Sequence, residues 1–247
     1  MNEVIESIYR EKKFTLPSGR TVEPFPTSIK REEGEALYRV VREKKPERTL
    51  EVGMAWGMSS LFICEALREN GRGTHVAIDP FQGNFEHGGV WNVKRAGFGD
   101  LLTFYERPSQ LMLAELAGKG ERFEVIFIDG SHLFDGAFVD FYFSDLLLPV
   151  GGLVIFDDLW MPAVRKVIRF VLTNRRYEIA EEYLGARPAF LRSHLQNLKY
   201  QARKRLKGKG NLGAGSEMAL HKGRNVNWCV LRKTGEDDRA WDHFAAF

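Results

Sequence analysis

Four side chains near the middle of the chain have types and spacing that could do chemistry together. Asp129 and His132 close the run Val125-Ile-Phe-Ile-Asp-Gly-Ser-His132, and Asp157 and Asp158 close Leu153-Val-Ile-Phe-Asp-Asp158. Short, continuous apolar runs of this kind read as central strands buried on both faces. In a doubly wound sheet, ligands sit outside the carboxyl ends of the strands. Neighbouring strands would therefore bring Asp129, Asp157 and Asp158 to one place. Like charges that close cannot all stay ionised without a partner. A divalent cation resolves the conflict, and oxygen ligands suit Mg2+, Mn2+ or Ca2+. Such an ion could hold two oxygens of a diol-like molecule and acidify a hydroxyl. Histidine titrates near neutrality, so His132 could take the hydroxyl proton, which makes Asp129 and His132 the catalytic candidates. Plainer uses compete: Asp157 or Asp158 can cap a helix starting at Pro162, and His132 can simply hydrogen-bond to Asp129 or Asp157.

A second constellation lies upstream, in Thr49-Leu-Glu-Val-Gly-Met-Ala-Trp-Gly-Met-Ser-Ser60. An apolar run ends in an acid and a glycine, a second glycine follows, and an amphipathic stretch begins at a serine pair. That pattern is strand, tight turn, helix, and the free N–H groups at the helix start face the crevice. Gly53 allows positive φ or a close approach. Gly57 sits where a side chain would block a ligand or a helix–strand contact. A dinucleotide site would carry G-x-G-x-x-G, whereas this turn is G-x-x-x-G preceded by Glu51. An acid beside the turn suits an ammonium better than a pyrophosphate. The next apolar run, Thr74-His-Val-Ala-Ile-Asp79, ends in a carboxylate about twenty residues further on, a position that can accept both hydroxyls of a ribose. Glu51, Gly53, Gly57 and Asp79 together describe a site for an adenosine bearing a cationic amino acid tail.

With these residues the chain resembles the class I S-adenosylmethionine-dependent methyltransferases. Glu51-Val-Gly-Met-Ala-Trp-Gly57 is similar to their first motif, and Asp79 stands where their ribose-binding acid does. The strand ending in Asp129, then Asp140, then Leu146-Leu-Leu-Pro-Val-Gly-Gly-Leu-Val-Ile-Phe-Asp-Asp158, is similar to the O-methyltransferase branch that includes catechol O-methyltransferase-like and antibiotic-tailoring enzymes. The resemblance covers about residues 30–182 and the last strand, and speaks to fold and cofactor far more than to the methyl acceptor. It implies S-adenosyl-L-methionine as cofactor, with Met54, Ala55, Ser59 and Pro80 beside the turn and Ser109 near the adenine. Asp129 would also reach the methionyl end. In metal-dependent members an acid after the fourth strand and an acidic or amide pair after the fifth bind the ion. This chain departs in having Asp158 where Asn often stands, and His132 near where the catechol enzymes place a lysine base.

These side chains need elements to hold them. An amphipathic helix is expected over 32–45, ended by Pro46. Strands follow at 49–53, 74–79, 101–105, 124–129 and 152–157, alternating with helices at 59–69, near 90–96, at 109–118, 134–147 and 162–174. Such alternation implies a doubly wound, mainly parallel α/β sheet, Rossmann-like and seven-stranded once 177–182 and 228–233 are added. The resemblance makes the last strand antiparallel. Residues 1–28, rich in turn signals at 16–20 and 24–28, read as a lead-in that folds over the cofactor. Residues 29–247 read as one methyltransferase domain.

Within it, residues 183–226 stand apart. From 187 to 209 there are basic residues and no acid, with Leu191, Leu195, Leu198, Ala202 and Leu206 at helical spacing. This basic helical insertion is longer than an ordinary loop, and a lid is its expected role.

Apolar residues make up 44% and charged residues 28% of 247, which places the chain among ordinary globular proteins. A net charge of +3 is too small to demand nucleic acid, so a small-molecule acceptor is expected. The basic helix keeps an RNA or DNA methyltransferase as the alternative, beside a non-catalytic cofactor-binding protein. Cys64 and Cys229 lie in apolar patterns and read as buried packing. No basic, then apolar, leader opens the chain, and no run approaches the ~18 apolar residues of a membrane span. The expectation is therefore a cytoplasmic protein with no membrane partner, and a homodimer is left open.

Overall fold

A computed structural model describes residues 1–183 and 227–247. The expected basic helix and its lid role fall outside the described residues. The chain opens with α1 (Glu3–Glu11), the hairpin strands β1 (Phe14–Thr15) and β2 (Thr21–Val22), and α2 (Arg31–Lys44). The alternating core follows: β3 (Arg48–Val52), α3 (Met58–Asn70), β4 (Thr74–Ile78), α4 (Gly88–Arg95), β5 (Leu102–Tyr105), α5 (Ser109–Gly118), β6 (Val125–Ile128), α6 (Phe134–Leu147), β7 (Leu153–Phe156) and α7 (Pro162–Asn174). The edge is completed by β8 (Tyr177–Ile179) and β9 (Cys229–Lys233).

Seven strands form one sheet in the order β5-β4-β3-β6-β7-β9-β8. The strands from β5 to β7 run parallel, and β9 is antiparallel to both β7 and β8. From β3 the chain winds outward through β4 and β5, then returns to the other side of β3 as β6. The switch point thus lies between β3 and β6, where a ligand crevice opens at the strand ends. The register pairs Val52 with Ile128 and Ile128 with Phe156, so these three strand ends stand level.

The pleat sorts the core into two layers. Leu50, Val52, Ile126 and Ile128 face α5, α6 and α7, packing with Leu113, Phe141 and Val167. Val125, Phe127 and Ile155 face the other way, onto Leu37 of α2 and Phe62 of α3. Every residue of β6 and β7 is buried, as strands covered on both faces must be.

The amino-terminal lead-in carries more structure than its turn signals suggested. Asn2 caps α1 by accepting the Val4 N–H at 2.9 Å, and Ile5 and Ile8 are fully buried. Their three-residue spacing is a helical stripe, and it outweighs the turn residues downstream. The strand expected over 177–182 stops at Ile179, and a 3-10 turn occupies Glu181–Tyr183. Among the described residues, no helix is long and apolar enough to cross a membrane.

Candidate active site

The site begins at the turn between β3 and α3. Gly53 has φ 89°, and a Cβ there would overlap the Asp129 carbonyl oxygen at the end of β6. The glycine therefore lets two strand ends touch. Gly57 has φ 76°, and a Cβ would lie 2.7 Å from the Gly89 carbonyl. Here the close neighbour is the first turn of α4, where a ligand or a helix–strand contact was expected. Ala55 also holds a left-handed φ of 43°, and Met54 is buried.

Two carboxylates brace this turn. Asp79 is buried and accepts the Met54, Ala55 and Phe81 N–H groups at 3.2, 2.8 and 2.8 Å, with the Gln82 amide at 3.0 Å. Three of these donors fall on Oδ2 and one on Oδ1, so Oδ1 keeps a lone pair for a sugar hydroxyl. Glu51 is fully buried and accepts the hydroxyls of Ser59 and Ser60, while His75 Nε2 lies 3.1 Å away. Thr49 Oγ1 meets His75 Nδ1 at 2.9 Å. Pro80 sits half-buried between Asp79 and the exposed Phe81. Ser109, expected near the adenine, donates its hydroxyl to Asp140 Oδ1 at 2.6 Å. Trp56 packs between Phe14 and Phe85, with centroids at 5.6 and 4.8 Å. His87 lies 3.0 Å from Glu106, across the loop after β5.

Across the switch point the arrangement is different. Asp129, His132, Asp157 and Asp158 line one pocket at the ends of β6 and β7. Ligand atoms of Asp129, His132 and Asp158 all lie within 4.8 Å of one another. His132 Nε2 is 2.5 Å from Asp158 Oδ2, and the Trp160 indole donates to Asp158 Oδ1 at 2.6 Å. Asp158 holds φ 55°, which turns its side chain towards His132.

The expected acids Asp129, Asp157 and Asp158 share this pocket, and the tightest set of ligand atoms joins His132 to Asp129 and Asp158. Asp157 is drawn off: its Oδ1 accepts the Asp158 N–H at 2.8 Å and the Asn227 amide at 3.2 Å. Asp157 also borders a second pocket with Ile29, Glu33, Leu37, Phe127 and Trp228. Asp157 and Asp158 both stay beside Asp129 in the first pocket, but the Asp157 carboxylate spends one oxygen on the Asp158 N–H and Asn227.

Electrostatics set this half apart. Burial, then Asp157 and Asp158, push the Asp129 carboxyl well above the usual range, although the residue keeps some solvent contact. Burial, then Glu33, push Asp157 up to about 8. Glu33 is itself raised, chiefly by burial.

A methyltransferase-domain family model matches residues 50–159, from within β3 to just past Asp158. Over this span the chain is similar to methyltransferase domains. The chain is 31% identical over 146 residues to a caffeoyl-CoA O-methyltransferase of Populus kitakamiensis, covering 57% of this chain and 59% of that one. The chain therefore spans about three fifths of that relative's length. Among solved structures, an O-methyltransferase from Bacillus cereus in complex with SAH superposes with a TM-score of 0.60 at 16% identity, covering 73% of this chain and 83% of that one. The O-methyltransferase TomG from Streptomyces achromogenes, in complex with SAM, gives 0.54 at 20% identity over 95% and 91% of the two chains.

Three residues of this site lie outside the sequence-derived set. Glu33 carried a usable signal, because it falls at four-residue spacing between Ile29 and Leu37 and so places an acid in an apolar helical stripe. His75 also could have been found, since Thr49, Glu51 and His75 share one sheet face through the β3–β4 register. Asn227 had no local signal, because it reaches the acids only through the fold of the last strand.

Proposed function

We propose that this chain transfers the methyl group of S-adenosylmethionine to a hydroxyl of a small-molecule acceptor. The observation that carries the reading is the convergence of Asp129, His132 and Asp158 beside the Gly53 turn, with Gly53 packed on the Asp129 carbonyl. One strand end thus borders both the cofactor turn and the acid–histidine cluster. The O-methyltransferase relatives agree with this assignment of reaction class.

In this reading the cofactor lies along the turn of Gly53, Met54, Ala55, Gly57 and Ser59. Its ribose meets Asp79 beside Pro80, and its ammonium lies on the side of Glu51 and Asp129. Ser109 stands at the start of α5, on the adenine side. The acceptor oxygen attacks the methyl carbon, the carbon–sulfur bond breaks, and its electron pair leaves a neutral thioether. The proton released from the hydroxyl goes to His132. Asp158 fixes that imidazole by accepting from Nε2, which leaves Nδ1 to take the proton. Trp160 holds Asp158 from its other oxygen. Alignment does much of the remaining work, since attack on a sulfonium methyl needs an ordered approach.

The crowded carboxylates also fit a divalent cation, because Asp129 is pushed up by burial and then by its acidic neighbours, and the donor set suits a hard or borderline ion. Asp129 and Asp158 would hold it, and such an ion, Mg2+ first, would lower the pKa of a bound acceptor hydroxyl.

Two measurements test the proposal. Calorimetry should show S-adenosylmethionine binding and no NAD binding. A screen of catechol-like and other hydroxylated acceptors, with EDTA or Mg2+, should yield a methyl ether. Tight NAD binding without S-adenosylmethionine binding would overturn the reading, and full activity after exhaustive chelation would remove the cation from it.

A further inference from the structure

We propose that Asp140 is a positioning residue that locks the 130–131 backbone, and with it Asp129 and His132, to the start of α5. The inference rests on the reading of Asp129 and His132 as the reacting side of the site. Asp140 lies on α6, outside the pocket that those residues line. Its side chain is 2% exposed and points back under the loop that leaves β6. Oδ1 accepts the Ser109 hydroxyl at 2.6 Å, which ties it to the first residue of α5. Oδ2 is buried and makes no hydrogen bond of normal geometry. It faces the loop: a Cβ on Gly130 would lie 3.3 Å from it, and the nearby Ser131 backbone N–H favours its ionised form.

A buried carboxylate with one oxygen left short of a partner is costly, and such groups require an explanation. Burial pushes this carboxyl up to about 6, so it is ionised at neutral pH at the expense of stability. An apolar or amide residue would satisfy packing alone. A carboxylate accepts the Ser109 hydroxyl on one oxygen and still turns a second acceptor towards the Ser131 N–H. Those two groups belong to the two loops that flank the reacting centre, one leaving β5 and one leaving β6. Asp140 thus sets the distance between the adenine side of the cofactor and the His132 side of the chemistry.

The test is Asp140→Asn in the full chain, read by amide hydrogen exchange. The asparagine keeps an oxygen for Ser109 but turns an NH2 towards the Ser131 N–H. Amides at 131–133 should exchange about tenfold faster or more, while those of 141–147 in α6 keep their rates. Turnover should fall at least about tenfold with S-adenosylmethionine affinity unchanged, a kcat effect without a cofactor KM effect. Unchanged loop exchange, or faster exchange spreading through α6, would overturn the proposal, since the second outcome marks a merely structural residue. Should Asp140→Asn not fold, Ser109→Ala removes only the Oδ1 partner and must speed the same loop amides to a smaller degree. No change there would equally overturn it. The exchange readout needs no acceptor, so a failure to find methyl transfer would strike the functional reading and leave this result standing.

Discussion

The two halves of the site handle buried charge in opposite ways. At the β3–β4 side, Glu51 and Asp79 are buried, and donors from serines, a histidine, an amide and backbone N–H groups surround them. At the β6–β7 side, Asp129, Asp157 and Glu33 are crowded, and burial followed by nearby carboxylates raises all three. A carboxylate wrapped in donors is a finished scaffold, rigid before anything binds. Carboxylates that repel one another form an unfinished site that gains from a cation or a proton. On the proposed function, the first half binds and the second half does the chemistry.

The sharpest way to separate the halves is His132→Ala. Turnover is expected to fall by about 10²-fold or more, the usual weight of a general base, measured under saturating acceptor and cofactor. A fall of only a few-fold would mean that His132 merely orients Asp158.

Asp79→Ala strikes the other half. It removes the acceptor for four donors, including the Met54 and Ala55 N–H groups. Cofactor affinity should drop by about 10- to 100-fold, since a hydrogen bond to a charged group contributes about 1.5–3 kcal/mol. Calorimetry on the folded variant checks it, and unchanged affinity would take the ribose role from Asp79.

Gly53→Ala tests whether the halves are joined through the turn. The new methyl group meets the Asp129 carbonyl at a left-handed φ, so a loss of about 1–3 kcal/mol is expected in urea unfolding. A neutral result would mean that β3 and β6 can part without cost.

Stability against pH offers a smaller and finer test. The Asp157 carboxyl is raised to about 8 from an ordinary 3.8. Between those values the folded state holds a proton that the unfolded state has released. This group therefore favours folding at low pH, and the benefit fades as pH rises towards 8. Asp157→Asn should melt higher than the parent at pH 8.5, with the difference shrinking towards pH 5. A difference that is constant with pH would contradict the crowded-carboxylate picture.

Legibility in the sequence followed the locality of the signals. The turn was readable because its glycines and the acids at 51 and 79 sit at strand ends with fixed spacing. The helices at 109–118, 134–147 and 162–174 were readable to the residue, because Ser109, Pro162 and the surrounding apolar runs mark their starts. Convergence of the acids was half readable. Strand order brings 129 near 157 and 158, but which of the pair turns inward depends on the left-handed φ of Asp158 and on Asn227, seventy residues from Asp157. The partners of Ser109 and Glu51 were hidden for the same reason, since Asp140 and His75 meet them only after packing. Helix α1 was poorly legible because its only apolar marker is the short Ile5 and Ile8 stripe, followed at once by turn residues.

The division of labour between the halves is tested most directly by one titration: S-adenosylmethionine into His132→Ala, set beside the parent under the same conditions. The account predicts that the two proteins bind the cofactor with equal affinity and enthalpy, while the variant has lost its turnover. Loss of cofactor binding together with turnover in a folded variant would contradict it, because His132 would then belong to the scaffold that Glu51 and Asp79 build.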